Sequence, residues 1–226
     1  KIGKEEFIRE LEGLGENYEN VVKLDKQRLI RCFEVITQTK KPLSWWHQQP
    51  LEKLFDPSIG NNEVRVLTRA LKSHFWASGA STGQVGEFES EFNKYIGSDD
   101  CVAVNNGTSA LHLALSLCGI KGKEVILPSL SFVSTAHAVL YNGGIPVFVD
   151  IDPDTLCLNS QLVKKAVTNK TRVILPVHFA GMPCDLNEIS QICKQYDIAL
   201  IEDAAHATGA TYDNRKIGCH GMAVCF

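Results

Sequence analysis

The chain has 226 residues, 44% of them hydrophobic and 22% charged, with a formal net charge of −3. These are the values of an ordinary globular protein, and the length suits one large α/β domain with a small appendage. No block of like charge marks a nucleic-acid surface, no apolar run is long enough to span a bilayer, and the mixed-charge start lacks the apolar core of a signal peptide.

Residues 1–60 read as a helical extension, with its best amphipathic stretch over Leu24 to Thr37. The segment Lys41-Pro42-Leu43-Ser44-Trp45-Trp46-His47-Gln48-Gln49-Pro50 is bounded by prolines, which break helices. Its two tryptophans are read as packing residues rather than a binding site. Asp56-Pro57-Ser58-Ile59-Gly60 reads as a turn.

From residue 61 the pattern is regular. Helices are predicted over Glu63 to Lys72 and Val85 to Tyr95, joined by the loop Ala77 to Gly83. Short apolar runs then alternate with helical stretches. The runs are Val102–Val104, Val125–Leu127, Val147–Val149, Val173–Leu175, Ile198–Ile201 and Ala223–Cys225. The helices are Ser109–Leu117, Ser134–Leu140, Ser160–Val167 and Leu186–Gln195. Most runs are β-branched and lack polar alternation, as strands buried on both faces do. The prediction is a three-layer α/β domain with a mostly parallel sheet. Lys216 is expected on a surface turn. Eight cysteines are present without a C-x-x-C pair, which argues against zinc and for reduced thiols in a cytoplasmic setting. No metal site is expected.

Ligands of such sheets bind at the carboxyl ends of the strands, so the junctions after each run carry the information. At Val104-Asn105-Asn106-Gly107-Thr108-Ser109, a glycine turn leads into a helix whose free amides and two hydroxyls suit an anion. An ordinary N-cap at Thr108 or Ser109 explains the same residues. At Leu127-Pro128-Ser129-Leu130-Ser131-Phe132, the aromatic ring can lie on a planar group or simply join the core. At Ile201-Glu202-Asp203-Ala204-Ala205-His206, two acids follow an apolar strand. Burying a carboxylate there requires a charged partner, whereas a helix cap would leave it solvated. A phosphate site, a stacking ring and a buried carboxylate together match pyridoxal phosphate, whose protonated pyridine nitrogen needs an anion.

With these junctions the sequence resembles the DegT/DnrJ/EryC1/StrS sugar aminotransferases, of the aspartate aminotransferase fold type. The ordered landmarks are Ser78-Gly79 with Thr82-Gly83 and Phe88-Glu89; Asn106 to Leu111; Pro128 to Thr135; Gly144 to Asp152; Pro176 to Gly181; and Ile201 to Ala207. The resemblance implies that Gly107, Thr108 and Ser109 hold the cofactor phosphate and that Phe132 stacks on the ring. It implies that Asp203 pairs with the pyridine nitrogen and that His206 lies beside the ring near its phenolic oxygen. Asp203 and His206 are therefore the catalytic candidates, with His178 shaping the pocket.

It also implies transfer of an amino group from an amino-acid donor, usually glutamate, to a nucleotide-linked keto-sugar in a homodimer. Sugar dehydration on the same cofactor and a non-catalytic regulatory or structural relative are the alternatives. The family's Schiff-base lysine follows the segment that ends here at Phe226. The expectation is accordingly a domain over residues 61–226 that stops before that lysine and before a C-terminal small domain.

Overall fold

The computed structural model describes residues 59–74 and 83–226. The expected helix over Leu24–Thr37, the Trp45-Trp46 segment and the loop residues Ser78, Gly79 and Thr82 lie outside them. The chain divides into two compact units, Lys1–Arg69 and Ala70–Phe226.

The described elements run in chain order. Helix α1 spans Asn61–Lys72, α2 Gly83–Ile96, α3 Gly107–Ser116, α4 Val133–Tyr141, α5 Ser160–Ala166 and α6 Leu186–Tyr196. Strand β1 spans Glu124–Pro128, β2 Ile145–Val149, β3 Thr171–Ile174, β4 Ala199–Asp203, β5 Thr211–Tyr212, β6 Arg215–Lys216 and β7 Ala223–Cys225. A 3-10 turn covers Phe179–Gly181.

The main sheet has the order β2-β1-β3-β4-β7, and every pair in it is parallel. Chain order runs one way from β1 to β2 and the other way through β3, β4 and β7, so the sheet reverses between β1 and β3. Side chains alternate between the faces of a strand, and here the two faces feed two cores. Val125, Leu127, Val173, Leu175, Ile201 and Cys225 pack with Leu111 and Leu115 of α3 and Ala138 and Val139 of α4. Ile126, Ile174 and Leu200 pack with Val163 of α5 and Leu186, Ile189 and Ile192 of α6. These are the three predicted layers, and they explain why the strands are apolar at successive positions.

Three local readings are corrected. Val102–Val104 forms no strand: Val102 is 68% exposed, and the Ala103 N–H donates to Glu89 Oε1 at 2.8 Å. A β-rich run becomes a strand only when a neighbour offers a ladder, and no described strand does so here. Helix α3 begins at Gly107 rather than Ser109 because Asn106 caps it. Lys216 belongs to the β5–β6 hairpin, with its ammonium 3.5 Å above the Tyr95 ring.

Candidate active site

Alternation along β4 sends its two neighbouring acids to opposite cores. Asp203 shares the parity of Ile201 and faces α3 and α4; Glu202 shares that of Leu200 and faces α5 and α6. The acids therefore meet different partners.

Asp203 is 6% exposed. Its Oδ2 accepts from Thr135 Oγ1 at 2.8 Å, and its Oδ1 accepts from the Ala205 N–H at 3.3 Å. The backbone is fixed as tightly. The Asp203 N–H donates to the Pro176 carbonyl at 2.9 Å, its carbonyl accepts from the His178 N–H at 3.0 Å, and the Ala204 N–H donates to the Cys225 carbonyl at 2.7 Å. Cys225 stands opposite Asp203 in the ladder, and burial pushes its thiol up to about 12, so it remains protonated.

The start of α3 lies at the same sheet edge. A Cβ on Gly107 would sit 3.3 Å from the Phe226 carbonyl oxygen, one residue past β7. The Asn106 side chain accepts from the Ser109 N–H at 2.8 Å. That amide is spent, whereas the N–H groups of Gly107 and Thr108 meet no acceptor among the described residues. With the Thr108 and Ser109 hydroxyls they form a set of donors at the positive end of a helix.

Phe132 immediately precedes α4 and is 75% exposed, so its ring is no core residue. One turn later, Thr135 reaches Asp203. The stacking candidate and the carboxylate are thereby tied through a single helical turn. His206 is exposed, its Nδ1 accepting from the Ala180 N–H at 3.4 Å and its ring edge-on to Phe179.

His178 is placed otherwise than expected. Fully buried, it turns to the opposite core, where its Nε2 lies 2.8 Å from Glu202 Oε2. It touches the Asp203 side only through its backbone. Sequence reasoning also passed over Thr135 and Ser131, whose hydroxyls are 2.6 Å apart. Their signal was weak, since hydroxyl residues open many helices. Among the described residues no cluster of His, Cys, Asp and Glu could hold a metal.

The edge thus offers amide and hydroxyl donors for a phosphate, an exposed aromatic face, and a nearly buried carboxylate with lone pairs free for a cationic N–H. These features fit pyridoxal phosphate.

Comparison with known proteins agrees. The model of the DegT/DnrJ/EryC1/StrS aminotransferase family matches residues 57–226. The chain is 41% identical over 171 residues to the spore coat polysaccharide biosynthesis protein SpsC of Bacillus subtilis, covering 75% of this chain and 43% of that protein. Its fold is similar to that of 3-amino-5-hydroxybenzoic acid synthase, with a TM-score of 0.68 and 38% identity over 72% of this chain and 42% of the other. It is also similar to the Escherichia coli GDP-4-keto-6-deoxy-D-mannose-3-dehydratase with bound hydrated PLP, with a TM-score of 0.68 and 31% identity over 74% of this chain and 44% of the other. The chain spans less than half the length of these relatives. The sheet is that of the large domain of pyridoxal-phosphate-dependent aminotransferases, and the family unites sugar aminotransferases and dehydratases that use this cofactor. The chain belongs to the DegT/DnrJ/EryC1/StrS aminotransferase family.

Proposed function

We propose that this chain supplies the cofactor-binding half of a sugar aminotransferase that moves an amino group, from glutamate as donor, to a nucleotide-linked keto-sugar. The observation that carries the reading is the Asp203 carboxylate, nearly buried at the end of β4 and held by a helix that starts at the exposed Phe132.

Each residue has a distinct task. The amides of Gly107 and Thr108 and the hydroxyls of Thr108 and Ser109 bind the phosphate. Phe132 orients the ring by stacking. Asp203 holds a proton at the pyridine nitrogen by facing it with a negative charge. His206, exposed just beyond β4, would lie beside the ring near its phenolic oxygen. When bound, pyridoxal phosphate supplies an electron sink for a carbanion at the substrate carbon. A buried carboxylate serves this role better than a solvated one, because low local dielectric strengthens its hold on the proton.

Residues 1–60 are proposed as an extension appended to the cofactor-binding domain of residues 61–226. A cytoplasmic homodimer is the proposed setting. The described cysteines, all free, suit a reducing compartment, and the dimer rests on the family resemblance alone.

The test is an absorbance titration of the whole protein with pyridoxal phosphate, followed by incubation with glutamate and a nucleotide-linked keto-sugar. An amino sugar and 2-oxoglutarate are expected. No spectral change on adding the cofactor would overturn the reading. Likeness to the dehydratase supports a second reading, sugar dehydration on the same site. Loss of a sugar hydroxyl without amino transfer to the sugar would select it.

A further inference from the structure

The carboxylate at the end of β4 is not held by its own strand alone. Thr135 is fully buried, and its hydroxyl lies 2.8 Å from Asp203 Oδ2 and 2.6 Å from Ser131 Oγ. Proton counting settles the direction of this chain. An ionised carboxylate only accepts, so the single hydroxyl proton of Thr135 goes to Asp203. Thr135 Oγ1 must then accept, and Ser131 is the donor. The result is a directed relay, Ser131 to Thr135 to Asp203, from the loop before α4, across its first turn, to the end of β4.

We propose that Thr135 is a positioning residue for Asp203, with Ser131 supporting it: the relay fixes one carboxylate oxygen so that the charge faces the ring nitrogen of bound pyridoxal phosphate. The inference rests on the cofactor reading above. Its physical basis is that the other oxygen is held only by the long bond from the Ala205 N–H, 3.3 Å. Without Thr135, the side chain has one weak restraint on its rotation. Because Phe132 and Thr135 share one helical turn, the same turn sets both the face on which the ring lies and the anion at its edge.

A structural role alone makes a different prediction from a positioning role, and two ligands separate them. The first is pyridoxal phosphate. The second is its carbocyclic analogue, in which a C–H replaces the ring nitrogen and offers Asp203 nothing to bind. Dissociation constants of both are measured for the full-length wild-type protein freed of cofactor, and for Thr135→Val, Thr135→Ser and Ser131→Ala. Valine preserves the volume of threonine, and serine restores the hydroxyl.

The expected result is about tenfold weaker pyridoxal phosphate binding in Thr135→Val, the size of a lost bond to a charged group. Serine returns it to within about twofold, and Ser131→Ala lies between the two. Binding of the analogue changes less than about twofold throughout. Equal affinity of wild type and Thr135→Val for pyridoxal phosphate overturns the proposal. Equal weakening of both ligands also overturns it, since that is loss of packing. Failure of the wild type to take up pyridoxal phosphate sinks the cofactor reading itself, and this proposal with it.

Discussion

His178 and Glu202 meet 2.8 Å apart in the core beneath the site, both fully buried. The Cys184 N–H donates to His178 Nδ1 at 3.1 Å, so that nitrogen carries no proton. The proton therefore sits on Nε2 and is given to Glu202, which makes this a neutral histidine bonded to a carboxylate. The backbone of the same histidine braces Asp203, so the pair sets the end of β4 from behind.

The two partners are not equivalent to substitution. His178→Ala leaves the Glu202 carboxylate buried without its donor, and a loss of about 3–5 kcal/mol is expected from urea denaturation. Glu202→Gln keeps the acceptor and removes the buried charge. It is expected to cost under about 1 kcal/mol. Equal losses in the two variants would refute the neutral-histidine assignment.

Gly221 is the neighbour that Glu202 demands. A Cβ there would lie 2.6 Å from Glu202 Oε1 and 2.9 Å from the Leu200 carbonyl oxygen. Gly221→Ala is expected to destabilise by about 1–3 kcal/mol. Part of that loss should be recovered in the double variant with Glu202→Ala, which clears one of the two contacts. Strict additivity in a double-mutant cycle would show that the carboxylate is not what the methyl strikes.

His220 gives the fold a pH dependence. Burial pushes its imidazole below the ordinary value of 6.5, against the opposing pull of Glu202. Arg215 pushes the same way as burial, whereas the Tyr212 carbonyl accepts from its ring and pulls the other way. The folded state thus favours neutral His220 and the unfolded state binds the proton more readily. This contribution is complete above about pH 6.5 and is lost as pH falls through the lower folded value. His220→Asn should lose less stability than wild type between pH 8 and pH 5, read from urea midpoints. Parallel curves would remove His220 as the cause.

The layered sheet was legible in the sequence because strands covered on both faces are apolar at successive positions; five of the six apolar runs fall in its strands, and β2, at the sheet edge, keeps the pattern although Phe148 is 58% exposed. Val102–Val104 has the same composition but no partner among the described strands, and pairing is a long-range fact that composition cannot carry. The β5–β6 hairpin escaped notice because each strand has only two residues. Its signal was Asp213-Asn214, both in the left-handed region at φ 48° and 61°, as a type I′ turn requires. Asp203 stood out through its place after an apolar strand. Its separation from Glu202 was also readable, since parity with Ile201 and Leu200 sends the two acids to opposite faces. Thr135 was not readable, because its partner lies 68 residues away.

Phe132 separates binding from stability. With its side chain largely exposed, it contributes little to the core. Phe132→Ala is expected to change unfolding free energy by less than about 0.5 kcal/mol. Loss of the proposed ring stacking, worth about 0.5–1.5 kcal/mol, should weaken pyridoxal phosphate by roughly twofold to twelvefold. A destabilised variant with unaltered cofactor affinity would return Phe132 to a packing role.

Asp203→Asn tests the charge itself. The substitution is nearly isosteric. Asparagine can still accept from the Ala205 N–H, and the Thr135 hydroxyl can reverse to meet either end of the amide. Packing and backbone bonds around β4 should survive, and removal of a nearly buried charge relieves a desolvation cost. The cofactor-free variant is therefore expected to melt at or slightly above the wild-type temperature. In the proposed role, what disappears is the anion that would face the ring nitrogen. Without it the nitrogen of the bound cofactor would lose its proton and the ring would withdraw electrons poorly, so turnover should fall on the order of 100-fold or more. Had Asp203 been only a cap in a solvated loop, the pattern would invert: a stability loss of about 1 kcal/mol with near-normal turnover. Melting temperature and turnover measured on the same preparation distinguish these cases, and normal turnover would remove Asp203 from the chemistry.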